Sequence, residues 1–118
     1  MKKILFINKD ANIRLQFKKE LEEEGYELLI ASNTKEGEKI VNNLPPDLII
    51  LDIRISGVEG IDFLKNLRDQ DKKIPVIICT PHGEIKQDFQ ASAKDVCVVK
   101  SDDLTELKDA IKRLFSTT

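Results

Sequence analysis

Chemically active side chains follow four of the apolar runs in this chain. A polar triplet, a carboxylate, a hydroxyl and an ammonium group each stand where a run ends: Asn8-Lys9-Asp10, Asp52, Thr80 and Lys100. The runs have the length of buried strands, and open α/β sheets bind ligands outside the carboxyl ends of their strands. These positions therefore predict one reactive or ligand-binding site, in which a carboxylate works beside a hydroxyl and a cation.

Asp52 is the central member of this set. It ends the unbroken apolar run 48–51, which follows Pro45-Pro46 and is typical of a strand buried on both faces. Gly57 and Gly60 then let the chain turn before a helix. On position alone, Asp52 could instead serve only to cap or turn the chain. The other polar positions at the same sheet edge favour the chemical role.

Five apolar runs alternate with amphipathic stretches, which is the pattern of a parallel sheet covered by helices. We predict an α/β fold of (βα)₅ type, a doubly wound five-stranded parallel sheet in the flavodoxin-like order 2-1-3-4-5. The predicted strands cover residues 3–7, 26–31, 48–52, 74–79 and 95–99. Helices are predicted between them and after the last strand. The first helix is marked by Ile13, Leu15, Phe17, Leu21 and Glu24 and ends at Gly25, and the stretch 84–94 has the weakest helical pattern.

Composition and charge exclude several classes of function. A chain of 118 residues, 41% of them apolar, predicts a single domain over residues 1–118 with a substantial core. The net charge of −2 argues against direct nucleic-acid binding, and the sequence shows no signal peptide, polybasic helix or membrane-spanning stretch. We expect a cytoplasmic protein in which Cys79 and Cys97 are small buried hydrophobes rather than a disulfide or zinc ligands.

The chain resembles the receiver domain of bacterial two-component response regulators over essentially its whole length, and four stretches carry the resemblance. They read KILFINKD, DLIILDIRISGVEGIDFLKNLR, IPVIICTPHGE and VCVVKSDDLTELKDAI. The resemblance implies that Asp52 accepts a phosphoryl group from a histidine kinase, a phosphotransfer protein or a small phosphodonor. It implies that Thr80 contacts this group and that Lys100 pairs with it. Such a protein is not an enzyme beyond its own phosphorylation and dephosphorylation.

The first polar triplet departs from the pattern of that family. Its members usually carry acids after the first strand, which hold Mg²⁺, whereas this chain has Asn8, Lys9 and Asp10. Mg²⁺ prefers hard oxygen ligands in octahedral geometry, so only Asp10 and Asp52 could still bind it here. Lys9 could stand in for the ion, or its ammonium could extend to solvent. The predicted Mg²⁺ site is therefore weak or absent.

Two further positions and one surface are implied by the resemblance. Arg54 and His82 lie where the family tunes the lifetime of the phosphoryl group, although both could be ordinary exposed loop residues. A downstream protein would bind the face made by the fourth helix, the fifth strand and the fifth helix. We also expect the helix predicted over residues 84–94 to exchange its amide protons faster than the third helix.

Two alternative functions fit the same fold. One is a pseudo-receiver, which would act as a protein–protein interaction module without phosphorylation. The other is a flavin carrier, but such proteins need a phosphate-cradling loop after the first strand, and residues 8–12 contain no glycine. The flavin carrier is therefore the weakest of the three interpretations.

Overall fold

Short apolar segments form a parallel sheet, and amphipathic segments between them form its helices. The computed structural model describes residues 1–52, 57–70, 74–80, 96–100 and 104–116. The strands are β1 (Lys3–Ile7), β2 (Glu27–Ala31), β3 (Leu48–Asp52), β4 (Val76–Thr80) and β5 (Val96–Lys100). The helices in these ranges are α1 (Ala11–Glu23), α2 (Thr34–Asn43), α3 (Gly57–Asp69) and a C-terminal helix (Leu104–Ser116).

The strand order is β2-β1-β3-β4-β5 and every neighbouring pair is parallel, which confirms the predicted topology. The bounds of three strands differ from the prediction. β2, β4 and β5 each begin one or two residues later than predicted. β4 and β5 each end one residue later, because Thr80 and Lys100 continue the ladder as a registered pair. These two residues are therefore the last residues of their strands and do not belong to the loops that follow. β3 lies in the middle of the sheet, so Asp52 has a strand on either side.

Each face of the sheet carries its own apolar core. On one face, α1 and the C-terminal helix cover the strands, and Phe6 stacks on Phe17 with ring centroids 4.7 Å apart. Such a ring pair contributes about 0.5–1.5 kcal/mol beyond its area burial. On the other face, Val41 of α2 and Phe63 of α3 contribute to the second cluster. Burial on both faces explains why the strands read as continuous apolar runs.

Polar groups and a glycine set the limits of α1. Asp10 is the N-cap, and its carboxylate accepts from the backbone N–H groups of Asn12 and Ile13. At the other end, Gly25 has a φ of 95°, its N–H donates to the Glu22 carbonyl, and the Tyr26 N–H donates to the Leu21 carbonyl. This is a Schellman motif, so the predicted stop at Gly25 is confirmed. Ile13, the first residue that marked the helix in the sequence, is the third residue of α1, because the cap and the first turn precede it.

Some of the predicted features lie outside the described residues. They are Arg54, His82 and the helix over residues 84–94. Cys79 is buried, as predicted, whereas the side chain of Cys97 is not among those described. In the ranges that the structure describes, no helix has both the length and the apolar character needed to cross a membrane.

Candidate functional site

Strand register brings the predicted site residues to one edge of the sheet. Ile7 pairs with Leu51, so Asn8 and Asp52 are the next residues along neighbouring strands. On the other side, Asp52 pairs with Cys79, and Thr80 pairs with Lys100 one position further. Neighbouring strands lie about 4.8 Å apart. Residues from β1, β3, β4 and β5 thus meet at the carboxyl edge, with Asp52 near the centre of the row.

Asn8 is the one fully buried polar residue among those whose side chains are described, with 1% of its surface exposed. Its backbone N–H donates to the Ala31 carbonyl of β2 at 3.1 Å. Its side-chain Oδ1 accepts from the backbone N–H of Asp10 at 2.7 Å, and its carbonyl accepts from Nη1 of Arg14 at 2.7 Å. Asn8 therefore holds the turn from β1 into α1 and ties that turn to β2.

Asp10 uses one carboxylate oxygen to cap α1. Its Oδ1 accepts from the N–H of Asn12 at 2.8 Å and from the N–H of Ile13 at 3.3 Å. These N–H groups have no partner within the helix, and the positive end of the helix dipole favours a negative charge beside them. Oδ1 of Asp10 therefore has a structural role, and only Oδ2 remains for a ligand.

Lys9 lies between these two residues and is exposed. No salt bridge joins it to a carboxylate within the described part of the chain. Its position is one residue past Asn8, so it follows the same strand end that lies beside Asp52. The ammonium group can therefore extend from the site edge into solvent or turn towards the row of site residues.

The three residues after β1 differ in what they could offer a Mg²⁺ ion, which prefers octahedral coordination by oxygen. Oδ1 of Asn8 already accepts a hydrogen bond, Lys9 is a cation, and Oδ1 of Asp10 caps α1. Among the described residues, no group of three or more histidine, cysteine, aspartate or glutamate side chains could hold a metal. Of the three residues after β1, only Asp10 carries a carboxylate.

Arg14 is a residue of this region that the sequence analysis missed. It lies in the first turns of α1, is half-buried, and donates its 2.7 Å hydrogen bond to the carbonyl of Asn8, the residue after β1. Helical periodicity marks only its apolar neighbours, such as Ile13 and Phe17. The sequence feature that could have identified Arg14 is its distance of six residues from Asn8. A long cationic side chain in the first turns of a helix can reach back to the end of the preceding strand.

A second capping cluster lies at the same edge, after β2. Asn33 caps α2 by accepting from the Glu36 N–H at 2.8 Å. The Glu36 carboxylate accepts from the hydroxyl and the backbone N–H of Ser32. These two bonds are the main reasons that the pKa of Glu36 is lower than its ordinary value of 4.5. The positive charges of Arg14 and Lys39 lower it further.

Comparison with known proteins identifies the kind of molecule that has this arrangement. A family model described as the response regulator receiver domain matches residues 4–112. The chain is 34% identical to sporulation initiation phosphotransferase F of Bacillus subtilis over 115 residues, which cover 94% of this chain and 91% of that protein.

Solved structures agree with this family match. Response regulator protein TrrA of Thermotoga maritima, in complex with Mg²⁺ and BeF, superposes with a TM-score of 0.84 at 37% identity, covering 97% of this chain and 99% of TrrA. TrrA in complex with the histidine kinase ThkA gives a TM-score of 0.82 at 36% identity, covering 97% and 98% of the two chains. Other curated relatives are longer, and the chain spans between 19% and 37% of their lengths.

Proposed function

This chain belongs to the response regulator receiver domain family of two-component systems, and we propose that it accepts a phosphoryl group on Asp52. The observation that supports this most is the strand register. It sets Asp52 beside Asn8 on one side and beside Cys79 on the other, with Thr80 and Lys100 paired one position further. A carboxylate at the centre of such a row has a hydroxyl and a cation within neighbouring strand positions.

The proposed reaction is a nucleophilic displacement at phosphorus. A carboxylate oxygen of Asp52 forms a bond to the phosphorus, and the bond from phosphorus to the donor breaks. The electron pair of that bond leaves with the donor, which is a phosphohistidine ring or a small acyl phosphate. The three equatorial oxygens carry the charge in the transition state, and Lys100 and Thr80 stabilise it electrostatically. The product is an aspartyl phosphate on the protein itself.

Lys9 takes over part of the electrostatic role in this proposal, and Mg²⁺ binds weakly or not at all. Asp52 and Asp10 supply two negative charges, and Lys9 and Lys100 supply two positive charges, so the pocket is balanced without a metal. The hydrogen bonds after β1 support this, because Oδ1 of Asn8 and Oδ1 of Asp10 are already used in the turn and in the cap of α1. An ammonium group in reach of Asp52 lowers the cost of adding a phosphoryl group that carries negative charge.

The proposed partners follow from the family. The phosphoryl donor is a histidine kinase or a phosphotransfer protein, since the structural relative TrrA is solved in complex with the histidine kinase ThkA. The downstream partner is a protein that binds the face formed by the helix predicted over residues 84–94, β5 and the C-terminal helix. Arg54 and His82 modulate the lifetime of the phosphoryl group.

Intact-mass measurement after incubation with acetyl phosphate tests the proposal. Wild type and Asp52→Asn are compared, each with Mg²⁺ and with a chelator. We expect wild type to gain one phosphoryl group slowly, at a rate that changes little with Mg²⁺, and Asp52→Asn to gain none. If wild type gains none under either condition or from a phosphorylated kinase, the chain is instead a phosphorylation-independent interaction module. A strict requirement for Mg²⁺ would disprove the proposed role of Lys9.

A further inference from the structure

Both peptide units that flank Lys9 are held by hydrogen bonds, although its side chain is exposed. The unit on the N-terminal side contains the Asn8 carbonyl, which accepts from Nη1 of Arg14 at 2.7 Å. The unit on the C-terminal side contains the Asp10 N–H, which donates to Oδ1 of Asn8 at 2.7 Å. The backbone of Lys9 is therefore fixed from both sides, while the four-carbon side chain remains able to move.

Arg14 is the member of this arrangement that comes from another element. Its own backbone N–H donates to the Asp10 carbonyl at 3.0 Å, so its Cα is fixed by the first turn of α1. β1 ends at Ile7, and the guanidinium contacts the carbonyl of the following residue, where the strand has given way to the turn. Glu36, at the start of α2, lies close enough for the charge of Arg14 to lower its pKa. Arg14 thus links α1 to the end of β1 and interacts electrostatically with α2.

We propose that Arg14 is a positioning residue for phosphorylation, which acts by holding the Asn8–Lys9 peptide and so fixing where the Lys9 side chain leaves the sheet edge. This inference rests on the proposed function of Asp52 and Lys9. The ammonium group of a long, flexible side chain stabilises a developing charge only when it lies close to that charge. A fixed backbone restricts the positions that the Lys9 ammonium can reach. The planar guanidinium suits this role better than an ammonium, because its donors have a rigid geometry.

A double-mutant cycle tests whether Arg14 acts through Lys9. The variants are Arg14→Met, Lys9→Met and the two combined, and the readout is the rate of Asp52 labelling by acetyl phosphate across donor concentrations. We expect Arg14→Met to lower the maximal rate about tenfold, with little change in the donor concentration at half-maximal rate. In the Lys9→Met background, Arg14→Met should have no further effect. Equal losses in both backgrounds would overturn the proposal.

Two controls separate positioning from a loss of charge or of fold. Lys18→Met removes one positive charge from α1 at a half-buried residue whose Nζ lies 3.9 Å from Oε2 of Glu22, and it should label like wild type. Arg14→Lys keeps a charge and a donor and should recover part of the rate. If Arg14→Lys labels as poorly as Arg14→Met while both unfold at wild-type urea concentrations, the carbonyl hydrogen bond is not the cause and the proposal fails.

Amide hydrogen exchange decides the proposal even in a protein that does not label. Arg14→Met should speed exchange of the Asn8 and Asp10 amide protons, which donate to the Ala31 carbonyl and to Oδ1 of Asn8, about tenfold. Exchange in β3 should not change, because only the local turn is released, and Lys18→Met should change neither. Unchanged exchange at Asn8 and Asp10 in Arg14→Met would overturn the positioning role. A wild type that never labels, but shows the expected exchange in Arg14→Met, would overturn the proposed function and leave Arg14 as the residue that holds this turn.

Discussion

Asn8 and Lys9 are the residues that set the chemistry of this site apart from an acid-rich one. The double change Asn8→Asp and Lys9→Asp shifts the local charge by three negative units and adds two carboxylates beside Asp52. We expect Mg²⁺ affinity to rise at least about tenfold, and labelling of Asp52 to become faster and Mg²⁺-dependent. Without metal the protein should lose about 2 kcal/mol or more of stability, because position 8 is buried. Calorimetric Mg²⁺ titration and intact mass measure these effects.

Lys18→Asp is a control for the negative charge that this double change adds, since it reverses a charge on α1 about two helical turns past Asp10. It should leave both Mg²⁺ affinity and labelling at wild-type levels. If the wild type already labels as fast as the double mutant, then Lys9 is no obstacle to phosphorylation. If the double mutant binds Mg²⁺ and still fails to label, the limiting feature lies outside the turn between β1 and α1.

Ser32 should contribute to stability at neutral pH but not in acid. Its hydroxyl and N–H hold the pKa of Glu36 below the ordinary value of 4.5. A lowered folded-state pKa means that the stabilisation is present above the unfolded-state pKa and is lost as the pH falls through the folded-state value. Ser32→Ala should therefore lower the urea midpoint at neutral pH and have little effect once Glu36 is protonated.

Asn33→Ala is the control for the pH dependence, because the capping amide of Asn33 does not titrate. Asn33→Ala should lower the free energy of unfolding by about 1 kcal/mol at neutral pH and by nearly the same amount in acid. Urea unfolding of both variants at the two pH values makes the comparison. A loss in Ser32→Ala that persists unchanged in acid would mean that the Ser32–Glu36 contact does not cause the pKa shift.

At the scale of elements, the sequence predicts what depends on long apolar patterns. Strands buried on both faces give uninterrupted runs such as residues 48–51, and their alternation with helices predicts the sheet and its order. The Schellman stop at Gly25 was predictable because few other residues adopt a φ of 95°. The position of Asp52 at the carboxyl edge of the sheet was also predictable, because it follows from the order of the strands and from where each strand ends.

Hydrogen bonds made by single polar side chains were not predictable in this way. The cap at Asp10 precedes Ile13, the first residue of the helical pattern, so periodicity alone does not locate the start of α1. Arg14 contacts a carbonyl six residues earlier, and its role depends on how α1 packs on β1. Sequence patterns predict which residues are buried and where helices and strands lie. These hydrogen bonds depend instead on the angle at which each helix follows its strand.

The packing of α2 on β1 should be sensitive to the size of residue 37. A Cβ on Gly37 would lie 2.5 Å from Cδ1 of Ile7, which is fully buried at the end of β1. Alanine would gain about 1 kcal/mol of helix propensity but cost about 1–3 kcal/mol through overpacking. We expect Gly37→Ala to lower the free energy of unfolding by up to about 2 kcal/mol in urea titrations.

Lys35→Ala, on the exposed side of the same helix, controls for helix propensity and should be close to neutral. Ile7 immediately precedes Asn8, so a shifted Ile7 should also slow labelling of Asp52. Gly37→Ala with wild-type or higher stability would show that Ile7 can move without cost, and that α2 does not fix the end of β1.

At the scale of the whole molecule, the two cores share one sheet, so we expect them to unfold together. Cys79 is 1% exposed on β4 and pairs with Asp52, so its thiol reports on the site edge. In a Cys97→Ser background, a thiol reagent should react slowly, and the rate should rise with urea in parallel with global unfolding. Adding Gly37→Ala should speed the reaction by the same factor as it raises the unfolding equilibrium constant, about fivefold for each 1 kcal/mol.

A rate that is insensitive to urea would instead mean that the edge around Asp52 opens separately from the cores. The phosphorylation site would then be a unit of lower stability than the sheet that carries it.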